Sequence, residues 1–513
     1  MGVSRYQFLV TIPVGCLIGA SIASEEWLYF LVAVFIISVF LLSLCQPHFV
    51  FLLLIFFLPF TRLGVVEVVR FSVQPSQALT LILIITLVLR AGVIKSRDAA
   101  LVTTPIDIPL LIFMLINVLS TFQSYHIPLD YTKYTTFGRN IPFYKSITQM
   151  VWMLVGILAY YVTVNLLRER KDIERAIGVW MLSATLAAAF AIYQFVGSYF
   201  FLPYAVESNV LNARFPGHLT HFKHLMRGTS VFTEPSPFAT YLLSILPLSL
   251  VLIVYRKYFV RPGWFNASFA ITTLGIIVTF SRTVIISLPG IFGLAWLLQR
   301  SRRPSLSGQA GVKSFVSAVI GVSFLFFLLH VLLNLLSFPT LTRVFKNQFV
   351  TIFNPHDFSN FQRLVSWGAA LIMFFKHPFL GVGVGNYFMN YFYNSPELFT
   401  EANMPPWIQG AHMPQVVNNI YLETLGETGI LGLASFLSLL FFHLKGPLAM
   451  LRRMEDALWF ALLYGLVLGF VGVLIAFLFS SAFYFPYVWS LMGLITAVER
   501  VAKKELREQL FTH

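Results

Sequence analysis

Apolar stretches of about twenty residues, the length a helix needs to cross the hydrocarbon core of a bilayer, recur along this chain from end to end. In hydrocarbon every backbone N–H and C=O has to be satisfied inside the protein, and such runs achieve this as helices. The sequence therefore reads as an all-α integral membrane protein, a single polytopic domain over residues 1–513. Charge agrees with that reading. Only 11% of the residues are charged and 58% are hydrophobic, where a soluble protein carries about a quarter charged residues.

About fourteen spans are expected by the twenty-residue yardstick, near 8–23, 27–45, 49–60, 77–92, 107–124, 147–166, 176–200, 237–255, 264–281, 283–299, 314–336, 428–444, 457–479 and 481–498. The third is short enough to kink or re-enter at Pro59. GASIAS, ending at residue 24, faintly resembles a signal cleavage site, but the next apolar run follows at once and an uncleaved first helix is expected.

Basic residues test the order. With both termini cytoplasmic, the inner connections carry Arg90, Lys95 and Arg97, then RERKDIER at 168–175, RKYFVR at 256–261, QRSRRP at 299–304, and Lys445 with Arg452 and Arg453. The basic cytoplasmic tail spans 499–513. Every inner connection except QPH at 46–48 is positive, as the positive-inside rule demands. RLVSWGAALIMFFK at 363–376 would invert all later loops if it crossed. Its apolar run is short, so an interfacial or re-entrant helix is expected instead.

The net charge of +14 is spread over short loops, which disfavours nucleic acid as a partner. Cys16 and Cys45 lie inside apolar runs and read as small core residues. His218, His221 and His224 share a helical spacing without a nearby carboxylate or thiol, so solvated interfacial histidines are preferred over a metal site. No GxSxG, HExxH or CxxC pattern occurs, leaving nucleophile and zinc-hydrolase chemistry without a motif.

Two outer connections are long, 201–236 and 337–427, the second with short or re-entrant helices. Long loops on a rigid scaffold usually carry function. Both are basic, with Arg214, Lys223 and Arg227 in the first and Arg343, Lys346, Arg363 and Lys376 in the second. Arg282 stands at an outer helix end in TFSRTVIIS. Several guanidiniums with few acids suit an anion such as a lipid-linked diphosphate. The competing reading has Arg282 snorkelling and the loop arginines binding lipid headgroups. GVGVGN at 381–386 has phosphate-loop glycines without the lysine or the preceding strand, so a tight turn offering N–H groups to an anion is expected. Glu234 precedes a span as a helix cap or as a partner for Arg227 or an acceptor hydroxyl. Glu423 and Glu427 lie one turn apart at a helix entry, where charge at an N-terminus explains them without chemistry.

Four stretches together, RGTSVFTEPSPFATYLL, TFSRTVIIS, QRLVSWGAALIMFFKHPFLGVGVGNYF and VVNNIYLETLGETGILGL, resemble the O-antigen ligase and polymerase superfamily over residues 225–445. The resemblance implies a bacterial inner-membrane glycosyltransferase, active on the periplasmic face without metal or other cofactor. Its donor would be an undecaprenyl-diphosphate-linked glycan. The acceptor would be another lipid-linked repeat unit for a polymerase of O-antigen or exopolysaccharide, or lipid A-core for a ligase of lipopolysaccharide. A chain-length regulator would be a further partner. The family's diphosphate-binding arginines correspond to Arg227, Arg282 and Arg363. Ligases carry His-Asn in the last motif, and that histidine is their proposed catalytic residue. Here Asn418 takes its place, followed by the matching Asn419. An amide is no general base near neutral pH. Either His412 supplies the base, or a carboxylate such as Glu234 or Glu423 does, or the chain is no ligase, and the polymerase is preferred. A transporter or flippase of the same lipid-linked intermediate is the alternative of another class. It would place its polar residues at mid-span and show repeated halves, which the sequence does not.

Overall fold

The computed structural model describes residues 27–61, 66–68, 71–92, 102–127, 142–200, 202, 221–222, 225–255, 262–300, 358–394, 416–481 and 483–511. The expected spans at 8–23 and 314–336 lie outside these residues. So do Arg214, His218, Lys223, His224, Arg343, Lys346 and His412.

Helix formation follows the apolar runs, with proline repeatedly at the entry. Pro47, Pro75, Pro142, Pro235, Pro262 and Pro486 each open a helix, where the missing N–H would have had no intrahelical partner. In chain order come α1 (Trp27–Cys45), α2 (Pro47–Phe57), the antiparallel pair β1 (Val66–Val68) and β2 (Phe71–Val73), and α3 (Pro75–Gly92). Next are α4 (Asp107–Thr121), α5 (Pro142–Leu166), α6 (Arg170–Phe200), and a second small antiparallel pair, β3 (His221–Phe222) with β4 (Leu225–Met226). Then follow α7 (Pro235–Val254), α8 (Pro262–Thr279), α9 (Arg282–Arg300), α10 (Phe358–Lys376), α11 (Tyr387–Asn394), α12 (Ile420–Leu451), α13 (Ala457–Ala476) and α14 (Pro486–Phe511). Among the described residues seven helices are long and apolar enough to cross a membrane, and four shorter apolar helices accompany them. The protein is a multi-pass helical bundle.

Its centre is the pair α7 and α13, each mostly buried inside the bundle. In α13 Gly465 and Gly469, four residues apart, lie against Leu248 and Ser244 of α7. A methyl group at Gly469 would overlap the Ser244 carbonyl. Small residues at this spacing let two membrane helices approach closely and recover dispersion energy that burial from lipid cannot supply. A second close contact seats the fully buried Trp489 of α14 over Gly156 of α5.

Contacts sort the helix termini into two ends. At one, Arg500 donates to the carbonyls of Val164 and Leu167, His48 lies 3.9 Å from Asp172, and the Val102 N–H donates to Asn165. QPH at 46–48, RERKDIER and the C-terminal helix therefore gather together. At the other end, Gly228 bonds Val278, Arg282 bonds Asn360, Ser120 bonds Leu380 and Ile420 bonds Phe477. This end collects all four stretches that carry the family resemblance.

Helix α10 contains the short run at 363–376 and is not among the seven helices long and apolar enough to cross a membrane. Its first turn meets Arg282, while the chain beyond its last turn returns to Ser120 and Glu427 at the same end. Helix α12 begins at Ile420, eight residues before the expected 428, because the Asn419 side chain accepts from the N–H groups of Tyr421 and Leu422 and caps an early start. Gly429, at φ 67°, then kinks α12 where it enters the apolar bundle.

Candidate functional site

Arg227 sits on the connection between β4 and α7, and that connection is held along its whole length. The Gly228 N–H donates to Val278 O at 2.9 Å. Gln194 of α6, fully buried, accepts from the N–H groups of Thr229 (3.2 Å) and Ser230 (2.6 Å) and donates back to the Ser230 carbonyl at 3.2 Å. Ser230 itself adopts φ 52° and its hydroxyl donates to Ala187 O at 2.7 Å. Phe232 then plugs the core against Phe238, Tyr241, Phe485 and Tyr487.

The guanidinium of Arg227 is oriented by the frayed end of α8. Its Nε donates to Thr279 O at 2.8 Å and its Nη2 to Phe280 O at 3.2 Å, two of the carbonyls that a helix C-terminus leaves over. Phe280 turns to φ 50° to present them, a conformation unusual for a bulky residue. One residue beyond, Ser281 N–H returns to the Thr279 hydroxyl at 3.2 Å, and Arg282 begins α9. Its Nη1 donates to Asn360 Oδ1 at 3.2 Å. Asn360 lies in the first turn of α10, and Arg363 follows one turn later.

Electrostatics show that these charges share one neighbourhood. The Arg227 pKa is pushed down to about 10, first by burial, then by the charges of Arg363 and Arg282, with Glu234 opposing. Arg227 therefore stays cationic at neutral pH. Glu234 feels the converse field: burial raises its pKa, and Arg227 and Arg363 pull it back. Its side chain is nonetheless exposed to solvent, so it stays accessible although protein surrounds it. Glu234 holds the N-cap position of α7, as expected, but its side chain makes no capping bond and is left for other work. The N-termini of α7 and α9 are linked by the Ser236 and Thr283 hydroxyls at 3.2 Å. Both partial positive ends point into the same group. Three guanidiniums and two helix N-termini against one carboxylate make a site that an anion relieves.

GVGVGN has a different tenant. Gly385 and Tyr387 donate their N–H groups to the Glu427 carboxylate at 2.8 and 3.1 Å, while Gly383 N–H reaches the Glu427 carbonyl at 2.9 Å. The anion that the loop amides await is the chain's own side chain, so Glu427 caps α11 rather than its own helix. The alternating glycines follow from geometry. Gly381, Gly383 and Gly385 all have positive φ, and a side chain at Gly381 would collide with the Glu427 backbone. Ser146 closes the latch, donating to Val384 O at 2.6 Å and accepting from Asn386 at 2.8 Å.

The asparagine pair divides its duties. Asn419 is the N-cap of α12. Asn418, partly exposed, adopts φ 52°, and its neighbour Val417 is anchored by Trp367 Nε1 at 3.1 Å. Glu423 is buried; Tyr484 Oη stands 3.5 Å from its Oε1, and among the described residues its Oε2 has no partner. Ser230, Phe280 and Asn418 are the positive-φ non-glycine residues among those described. Each falls in a stretch that carries the family resemblance, and strain of this kind collects at functional sites.

The structure thus brings Arg227, Arg282, Arg363 and Glu234 together. It gives Glu427 and Asn419 to the scaffold, and seats Glu423 beside Tyr484. Sequence reasoning missed Gln194 and Asn360. Gln194 carries a legible signal, a lone amide inside the apolar run AIYQFVG, where an unpaired polar group is costly. Asn360 carries none.

Basic groups gathered at one end of a multi-pass helical bundle are what the described residues define. The family model described as O-antigen ligase matches residues 267–437. The match covers about a third of the chain and supports a relation to the O-antigen ligase and polymerase superfamily. Comparison with curated proteins finds no match.

Proposed function

We propose that the protein is a lipid-linked glycan polymerase of the bacterial inner membrane, working on its periplasmic face with an undecaprenyl-diphosphate-linked glycan as donor. The observation that carries this reading is the grouping of Arg282, Arg363 and Glu234 around Arg227. Transfer breaks the bond between the donor's anomeric carbon and the diphosphate oxygen and forms one to the acceptor hydroxyl oxygen. Negative charge grows on the leaving diphosphate, and fixed guanidiniums stabilise it without reorganising. Bidentate arginine forks match phosphate oxygens.

The acceptor proton needs a base. Asn418 and Asn419 have no basic atom, and Glu427 has both oxygens committed to amides. Glu423 is buried beside Tyr484. Glu234 is solvent-accessible and adjacent to the arginines, so it takes the proton in this reading. The ligase remains the second reading, favoured by the description of the matching family model and disfavoured by an amide at position 418.

A deletion strain complemented with Arg282→Ala or Arg363→Ala tests the proposal by its glycan ladder. Loss of the ladder beyond a single repeat is expected from both. Full-length polymer from either would remove the diphosphate role. Movement of labelled lipid across vesicles by purified protein, with no joining of glycans, would replace the enzyme with a transporter.

A further inference from the structure

At the end remote from the arginine group, a cavity of about 480 Å³ opens between the segment entering α4 and the last turns of α14. Val102 and Pro105 form its apolar wall, and Arg500, Lys503, Lys504 and Arg507 line the other side with Glu499 and Glu508. The four cations recur at helical spacing and so share one face of α14. They are not equivalent. Arg500 is spent on the carbonyls of Val164 and Leu167 at 2.9 and 2.7 Å, which fixes its charge at the C-terminus of α5. Lys503 is paired with Glu499. Lys504 stands 3.9 Å from Glu508 with both side chains largely exposed, a spacing and exposure at which an ion pair contributes little. Among the described residues no hydrogen bond or ion pair engages Arg507, which is also exposed.

We infer that this cavity binds the phosphate headgroup of an acidic phospholipid of the inner leaflet, with Lys504 and Arg507 as its cations and the Val102–Pro105 wall against the glycerol. Three observations select that occupant. RERKDIER and the basic C-terminal helix lie at the same end, which the positive-inside rule assigns to the cytoplasm. The inner leaflet is where anionic lipid headgroups concentrate and where basic pockets between helices capture them. The cavity is closed on one side by apolar atoms and too small for a polymer, which suits a headgroup carrying the start of its chains.

Native mass spectrometry of the full chain, released from detergent micelles, tests this with phosphatidylglycerol, phosphatidylcholine and inorganic phosphate as probes. Phosphatidylglycerol should remain bound in clear excess over phosphatidylcholine at equal concentration. The double variant Lys504→Gln/Arg507→Gln should lose that affinity by about thirtyfold, since each cation near an anionic surface is worth about 1 kcal/mol. Lys504→Gln alone, monodisperse on gel filtration, should fall between the two. Equal retention of both lipids, or retention unchanged in the double variant, overturns the site. Displacement of phosphatidylglycerol by millimolar inorganic phosphate overturns the lipid as its occupant.

Discussion

Glu234 is the residue on which the proposed chemistry turns, and its environment has a sign that can be measured. Burial raises its pKa above the ordinary carboxylate value against the pull of Arg227 and Arg363. A base with a raised pKa is lost to protonation as pH falls through that value. The acid limb of the polymerisation rate is therefore expected above the pH at which an ordinary glutamate titrates, about 4.3. Glu234→Gln should remove most of the activity and with it the acid limb, while thermal unfolding of the purified protein stays close to wild type. A pH–rate profile unchanged by the substitution would return the base to His412 or Glu423. The arginines were legible in the sequence because guanidiniums beside apolar runs stand out. Their supports were not, since Gln194 acts across some thirty-five residues of chain on backbone groups that carry no side-chain signature.

At the scale of elements, the latch between GVGVGN and α12 is the feature most open to test. Glu427 accepts with both oxygens, one from Gly385 and one from Tyr387. In Glu427→Gln one acceptor becomes an N–H2 facing an N–H, leaving a buried donor unpaired at a cost of about 1–3 kcal/mol. A lower melting temperature is expected, together with faster hydrogen exchange over 381–394 and reduced polymerisation. A variant as stable as wild type would mean that the loop is held by its other contacts. Sequence left α10 out of the spans, and it is likewise absent from the seven helices long and apolar enough to cross, although at 19 residues it exceeds the shortest of them. Sequence placed the start of α12 late because the first two turns, NIYLETLGE, are as polar as a loop. The Asn419 cap and the Gly429 kink that make them helical are local geometry rather than hydropathy.

For the whole molecule, stability rests on how closely α7 and α13 approach. Gly469→Leu would drive a side chain into the Ser244 carbonyl and is expected to prevent recovery of monodisperse protein from the membrane. Gly469→Ala should lower thermal stability by a smaller amount, and full retention of stability by the leucine variant would show that the helices can part without cost. That the chain forms a helical bundle was readable from its apolar runs. The pairing of helices was not, because apolar faces look alike in sequence and only small residues such as those in GLVLG mark a close contact.

The left-handed turn at Asn418 has an evolutionary consequence. A backbone at φ 52° accepts few side chains besides glycine, and asparagine, aspartate and histidine are the ones enriched there. The menu imposed by the fold therefore contains the amide found in this chain beside a carboxylate and an imidazole, the two side chains of the set that can take a proton. Exchange between them asks nothing of the scaffold. Asn418→His should therefore be recovered from the membrane as monodisperse protein in wild-type yield, and aggregation of the variant would show that the bend tolerates the amide alone.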